Sequence, residues 1–193
     1  MILANLTHRN IILGSGSPRR KELLNGLPIQ FTVKSKDVDE SYDPSLQREE
    51  VARFLSELKA NAFENELKPD DLLITSDTTV CLGHEILNKP KDKVEAKLML
   101  QKLSGETHTV ISAVTITDLE KCVTFHDETK VTFKPLDEEE IDFYIEKHAP
   151  FDKAGSYGAQ EFMGYIGIEK LSGSYFNVMG LPVHKVYEEL KHW

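Results

Sequence analysis

Apolar residues along the chain follow two rhythms, a helical period and a two-residue alternation, with a few short unbroken runs between them. The runs at 10–13 (NIIL) and 71–76 (DLLITS) read as buried strands, the second closed by Asp77. Ile29, Phe31 and Val33 alternate as a second strand, as do Thr129, Val131 and Phe133. Val110, Ser112, Val114 and Ile116 interleave with Ile111, Ala113 and Thr115, so this strand is apolar on both faces and belongs in the sheet centre. Val51, Phe54, Leu55, Leu58 and Ala62 keep the 3.6-residue period, which predicts the longest helix over 48–67 with these side chains on its core face.

Start and stop signals add the remaining elements. Ser17 followed by Pro18 predicts a helix over 18–26, and Asp92 with Glu95 a capped helix ending near Gly105. Asp137 with Glu140 opens another, which stops before Pro150. Gly83-His84 joins 79–82 to 85–87 as a hairpin. Strands are expected at 165–171 and 175–178, then a last helix with Pro182 in its first turn. Helices and strands alternate early and strands dominate the middle, so the expected class is α/β with a mixed sheet and flanking helices.

No repeat, low-complexity stretch or linker divides the 193 residues, which are expected to form one domain over 1–193, in one body or in two lobes around a central cleft. With 40% hydrophobic and 28% charged residues the chain can bury a core, which argues against disorder. No apolar run approaches the ~20 residues of a membrane span, and the first residues lack the order of a signal peptide, so a cytoplasmic protein with no membrane partner is expected. Cys81 and Cys122 are too few for a disulfide scaffold and unclustered for zinc, and read as strand-packing residues. The net charge of -9 repels nucleic acid, so any anion site must be built from a local cluster of cations.

Such a cluster occurs at Ser15-Gly16-Ser17-Pro18-Arg19-Arg20-Lys21, between a strand and a helix. Three cations where the helix dipole favours acids cost stability unless an anion binds there, and with the glycines and exposed N–H groups they read as a phosphate cradle. An ordinary capped surface helix is the alternative, and no P-loop pattern is present. Asp77 at a strand end suits metal binding or base chemistry, or simply a turn. The acidic loop Asp37-Val38-Asp39-Glu40 with Asp43 could serve Mg²⁺ beside a polyphosphate or be a solvated face. Lys59 and Lys89 could each reach a phosphate or remain surface lysines. In Asp152-Lys153-Ala154-Gly155-Ser156-Tyr157-Gly158-Ala159-Gln160, glycines accompany an amide able to donate and accept at a base edge.

These segments together resemble the Maf proteins, nucleoside triphosphate pyrophosphatases. The resemblance is carried by SGSPRRKELL at 15–24, Ser76-Asp77-Thr78, Lys89-Pro90, Leu103-Ser104-Gly105, the 152–160 stretch and Met179-Gly180-Leu181-Pro182, in order from residue 12 to about 191. It implies a fold like that of the inosine triphosphate pyrophosphatases, a homodimer, and hydrolysis of a nucleoside triphosphate to monophosphate and pyrophosphate with a divalent metal such as Mg²⁺, Mn²⁺ or Co²⁺. By the same resemblance Asp77 is the catalytic base, Arg19, Thr78 and Gln160 choose the substrate, and Ser15, Ser17, Arg19, Arg20, Lys59 and Lys89 bind phosphate. Glu40 joins Asp77 at the metal, and the pattern is similar to the subgroup cleaving dTTP and UTP. Gly14, Ser76, Asn88 and Ala159 depart from the residues usual in the family. A nucleotide-sensing binding module and a phosphatase releasing orthophosphate are the alternatives.

Overall fold

Strand β1 (Asn10–Leu13) is the apolar run after the N-terminal turn, and it pairs in parallel with β2 (Phe31–Val33) and β3 (Asp71–Leu82). The computed structural model describes residues 2–193. Seven strands form one mixed sheet in the order β2-β1-β3-β5-β6-β7, with β4 (Glu85–Leu87) antiparallel to the end of β3. β5 is Thr107–Thr117, β6 Cys122–Phe133 and β7 Ile168–Ser172. β6 and β7 are antiparallel, which together with the parallel pairs gives the expected mixed α/β class.

The helices are α1 (Pro18–Leu24), α2 (Arg48–Asn61), α3 (Lys93–Leu103), α4 (Glu138–His148), α5 (Phe162–Gly167), α6 (Tyr175–Val178) and α7 (Val183–Lys191). None of the described helices is long and apolar enough to cross a membrane. The described residues divide into two compact units: residues 2–77, 112–127 and 180–193 form unit 1, and 78–111 and 128–179 form unit 2. The core of unit 1 includes Ile12, Ala60, Phe63 and Leu73, and that of unit 2 includes Val80, Leu100, Val110, Phe133, Ile141, Tyr144 and Met163.

Several expectations need correction. The helix expected over 48–67 stops at Asn61, because Lys36 Nζ takes the Ala62 carbonyl at 2.6 Å and Phe63 turns into the core beside Ile12 and Leu73. Its buried face holds Val51, Ala52, Leu55, Ser56 and Ala60, whereas Phe54 is 37% exposed. Ser56 can face inward because Thr115 Oγ1 lies 2.9 Å from its hydroxyl and Thr75 donates to its carbonyl at 2.7 Å, so no polar atom of that contact is stranded. The strand expected to end at Ser76 runs on without a break to Leu82, through the β-branched Thr78, Thr79 and Val80. The strand expected at 175–178 is instead the helical turn α6, capped by the Ser174 hydroxyl on Asn177 N–H. Tyr165 belongs to α5, and Pro182 is the residue capping α7 instead of lying within it. Cys81 is buried as expected, but Cys122 is exposed at the start of β6.

One buried histidine has a measurable consequence. His108 Nε2 lies 2.8 Å from the Tyr157 hydroxyl, the ring meets Phe133 edge-on, and Nδ1 has no partner among the described residues. Burial pulls its pKa down to about 4. The unfolded chain protonates this ring near 6.5, so folding stability is undiminished above that pH and falls as the pH drops toward 4. Urea unfolding at pH 7 and pH 4.5 is expected to show about 2 kcal/mol of acid destabilisation from this residue. His108→Gln, which keeps a partner for Tyr157, should remove most of that difference. Equal acid sensitivity in both proteins would assign the loss to carboxylates instead.

Candidate active site

Unit 1 brings together most of the residues singled out from the sequence. Gly14 N–H bonds the Ile74 carbonyl at 2.8 Å, so β1 and β3 are in register up to the point where the chain leaves for α1. A Cβ on Gly14 would lie 2.8 Å from Thr75 Cγ2, which accounts for glycine there. The Ser15 hydroxyl accepts Ser17 N–H at 3.3 Å, and the Ser17 hydroxyl caps α1 by accepting Arg20 N–H. Pro18 opens the helix as the sequence indicates.

Arg20 is half-buried and directed into the protein. Its Nε donates to the Gly180 carbonyl at 3.0 Å and its guanidinium also reaches Ser15 Oγ at 3.3 Å. Burial draws its pKa below the ordinary value; the nearby Asp77 charge opposes this, Arg19 adds to it and Glu40 offsets it. Ser76 donates its hydroxyl to the same Gly180 carbonyl at 3.1 Å, so the unusual serine before the aspartate has a structural task. Arg20 was expected to be a strain relieved only by ligand, but α1 has seven residues and Arg20 already serves two protein acceptors. Arg20→Ala is therefore expected to cost about 1–3 kcal/mol in the ligand-free protein, because it leaves buried acceptors short of a donor. A melting temperature equal to the parent's, with no ligand present, would contradict this role.

Lys59 reaches the site from the last turn of α2. Its Nζ lies 2.5 Å from Asp77 Oδ1 and 2.9 Å from Glu40 Oε1. Asp77 is 7% exposed in mid-strand, not at a strand end as expected from sequence. Its carboxylate is matched by the ammonium, so the charge does not interrupt β3. Glu40, out of the acidic loop, is brought to Asp77 across one cation. Two carboxylates within reach of a single cation, supplying only oxygen donors, also suit a hard divalent metal. Asp39 and Asp43 instead serve local turns, accepting from Ser41 at 3.0 Å and Ser45 at 2.8 Å.

Thr78, Lys89 and Gln160 belong to unit 2. Thr78 follows Asp77 on β3 and is half-buried, Lys89 is exposed before Pro90, and Gln160 is half-buried ahead of α5. Sequence reasoning missed the Gly180 carbonyl that holds Arg20 and Ser76. Its only signal was Gly180 within the Met179–Pro182 motif.

The family described as Maf-like protein matches residues 10–193. A dTTP/UTP pyrophosphatase of Phocaeicola vulgatus is 49% identical over 191 residues, covering 98% of this chain and 99% of that protein. One of Parabacteroides distasonis is 46% identical over 193 residues and covers 100% of both. Among solved structures, the Staphylococcus aureus Ham1 protein has a TM-score of 0.50 at 16% identity, over 95% of this chain and 99% of that one, so the two share a fold. A match beginning at β1 and running to Trp193 takes in every residue of the Arg20–Asp77–Lys59–Glu40 cluster, and the chain belongs to the Maf family.

Proposed function

We propose that this protein is a nucleoside triphosphate pyrophosphatase that hydrolyses dTTP and UTP to the monophosphate and pyrophosphate. The observation that carries the reading is Lys59 held between Asp77 and Glu40, beside the inward-facing Arg20. Relatives 46% and 49% identical over nearly the whole chain are dTTP/UTP pyrophosphatases by name, which supports the same substrate class.

In this reading Arg19, Arg20, Lys59 and Lys89 oppose the triphosphate charge, and the Ser15 and Ser17 hydroxyls bind phosphate oxygens. Asp77 orients a water molecule and takes its proton as the oxygen attacks the α-phosphorus in line. The bond from that phosphorus to the bridging oxygen breaks, and pyrophosphate leaves against cations already in place. Glu40 and Asp77 would hold the divalent cation, Mg²⁺, Mn²⁺ or Co²⁺. When bound, the ion would neutralise phosphate charge. Thr78, Arg19 and Gln160 discriminate among bases. A homodimer working in the cytoplasm completes the proposal.

The test incubates the protein with a panel of standard and modified triphosphates and reads pyrophosphate and orthophosphate separately. One pyrophosphate per monophosphate, fastest with dTTP and UTP, is expected. Orthophosphate alone would make the protein a phosphatase. Saturable nucleotide binding with neither product would make it a sensing module.

A further inference from the structure

In the stretch 152–161 of unit 2, nearly every polar side chain is committed to the protein itself. Lys153, 8% exposed, pairs with Asp152 at 2.7 Å and with Glu161 at 3.0 Å. Ser156 Oγ lies 3.1 Å from Met99 Sδ, and the Tyr157 hydroxyl is engaged with His108. Tyr144 on α4 is fully buried; its hydroxyl donates to Glu161 Oε2 at 2.5 Å and accepts Gly158 N–H at 3.0 Å. One phenol therefore ties the backbone two residues before Gln160 to the side chain one residue after it. There is little slack: a Cβ on Gly158 would lie 2.7 Å from the Glu161 carboxyl carbon.

Gln160 is the exception. Its side-chain amide makes no hydrogen bond among the described residues, although the residue is half-buried. A primary amide with donor and acceptor both unspent, on backbone pinned to either side, is arranged to meet a partner from outside the chain.

We propose that Tyr144 is a positioning residue for Gln160, fixing residues 158–161 so that the amide meets the nucleotide base with donor and acceptor aligned together. The inference rests on the pyrophosphatase reading above. Paired recognition of this kind tolerates displacements of only about 0.5 Å, so a support that both donates and accepts matters more than an apolar one. Burial, reinforced by the bond to Glu161, pushes the phenol's ionisation well above its ordinary range, so it remains a donor at every working pH. Phenylalanine would keep the ring and its stacking on His148, at 5.0 Å between centroids, and remove only the hydroxyl.

The experiment measures kcat and KM for UTP and GTP in the parent, Tyr144→Phe, Gln160→Ala and the double variant. Tyr144→Phe is expected to lower the UTP/GTP ratio of kcat/KM by roughly five- to tenfold, mainly through KM for UTP, with GTP turnover kept within about twofold. In the Gln160→Ala background the same change should alter the ratio less than about twofold. Glu161→Ala, which removes the phenol's acceptor but keeps its ring, is measured alongside and should give the same non-additive fall, so the test stands even where Tyr144→Phe fails to fold. An unchanged ratio in the variants at 144 and 161, or an equal fall persisting with Gln160→Ala, overturns the positioning role while the reading of Gln160 stands. An unchanged ratio in Gln160→Ala alone overturns base reading by Gln160 and the positioning role with it.

Discussion

Asp77→Asn is expected to lower kcat on dTTP and UTP by about 10²- to 10⁴-fold while leaving the fold in place. The two side chains are nearly equal in size, and the amide oxygen can still accept from Lys59, which lies 2.5 Å from the carboxylate now. What disappears is the negative charge and the proton-accepting capacity. Weaker metal binding would add to the loss, so the assay is run at saturating Mg²⁺ to isolate the base. Pyrophosphate release is measured beside a thermal melt. A rate within about threefold of the parent, in a protein that melts normally, removes Asp77 from the mechanism.

That Asp77 is a candidate is legible in the sequence, but its setting is not. An aspartate after an apolar run looks like the end of a strand; only Lys59, 18 positions back, makes its charge tolerable within β3. That partner is invisible to local pattern, as is the meeting of Glu40 with the same ammonium. Elements set by near neighbours were read well: the Asp137–Glu140 capping box opens α4, and Gly83-His84 turns the β3–β4 hairpin. Elements decided by distant contacts were not. Residues 175–178 have strand-like composition, yet Asn177 turns inward to donate to the Val110 carbonyl and Thr129 Oγ1, both at 3.0 Å, and the backbone follows it into a helical turn. Phe54 had the right period for the core and lost its place to Ser56 because of hydroxyl partners on β5 and β3.

A second large effect is expected at Gly164, on α5 and next to the stretch that carries Gln160. A Cβ there would stand 2.2 Å from the Ala159 carbonyl oxygen and 2.5 Å from its carbon. These are main-chain atoms and cannot swing aside as a flexible side-chain tip could. Gly164→Ala should therefore destabilise the protein by at least about 3 kcal/mol, at the upper end for overpacking. For a chain of this length that amounts to a fall in melting temperature of roughly 6–12 °C. Urea unfolding gives the first figure and calorimetry the second. A variant within about 1 kcal/mol of the parent would mean that residues 158–161 yield easily, contrary to the packing around Glu161 and Tyr144.

The division of labour in that stretch bears on how such a protein changes over generations. Lys153, Tyr144 and Glu161 tie the stretch together, while the Gln160 side chain makes no hydrogen bond among the described residues. A replacement at 160 therefore breaks no side-chain hydrogen bond among the described residues, and selection can try new side chains there without first replacing a lost partner. Drift at this one codon could retune nucleotide preference in a single step, whereas drift at 144 or 161 would disturb the scaffold together with the residue it supports.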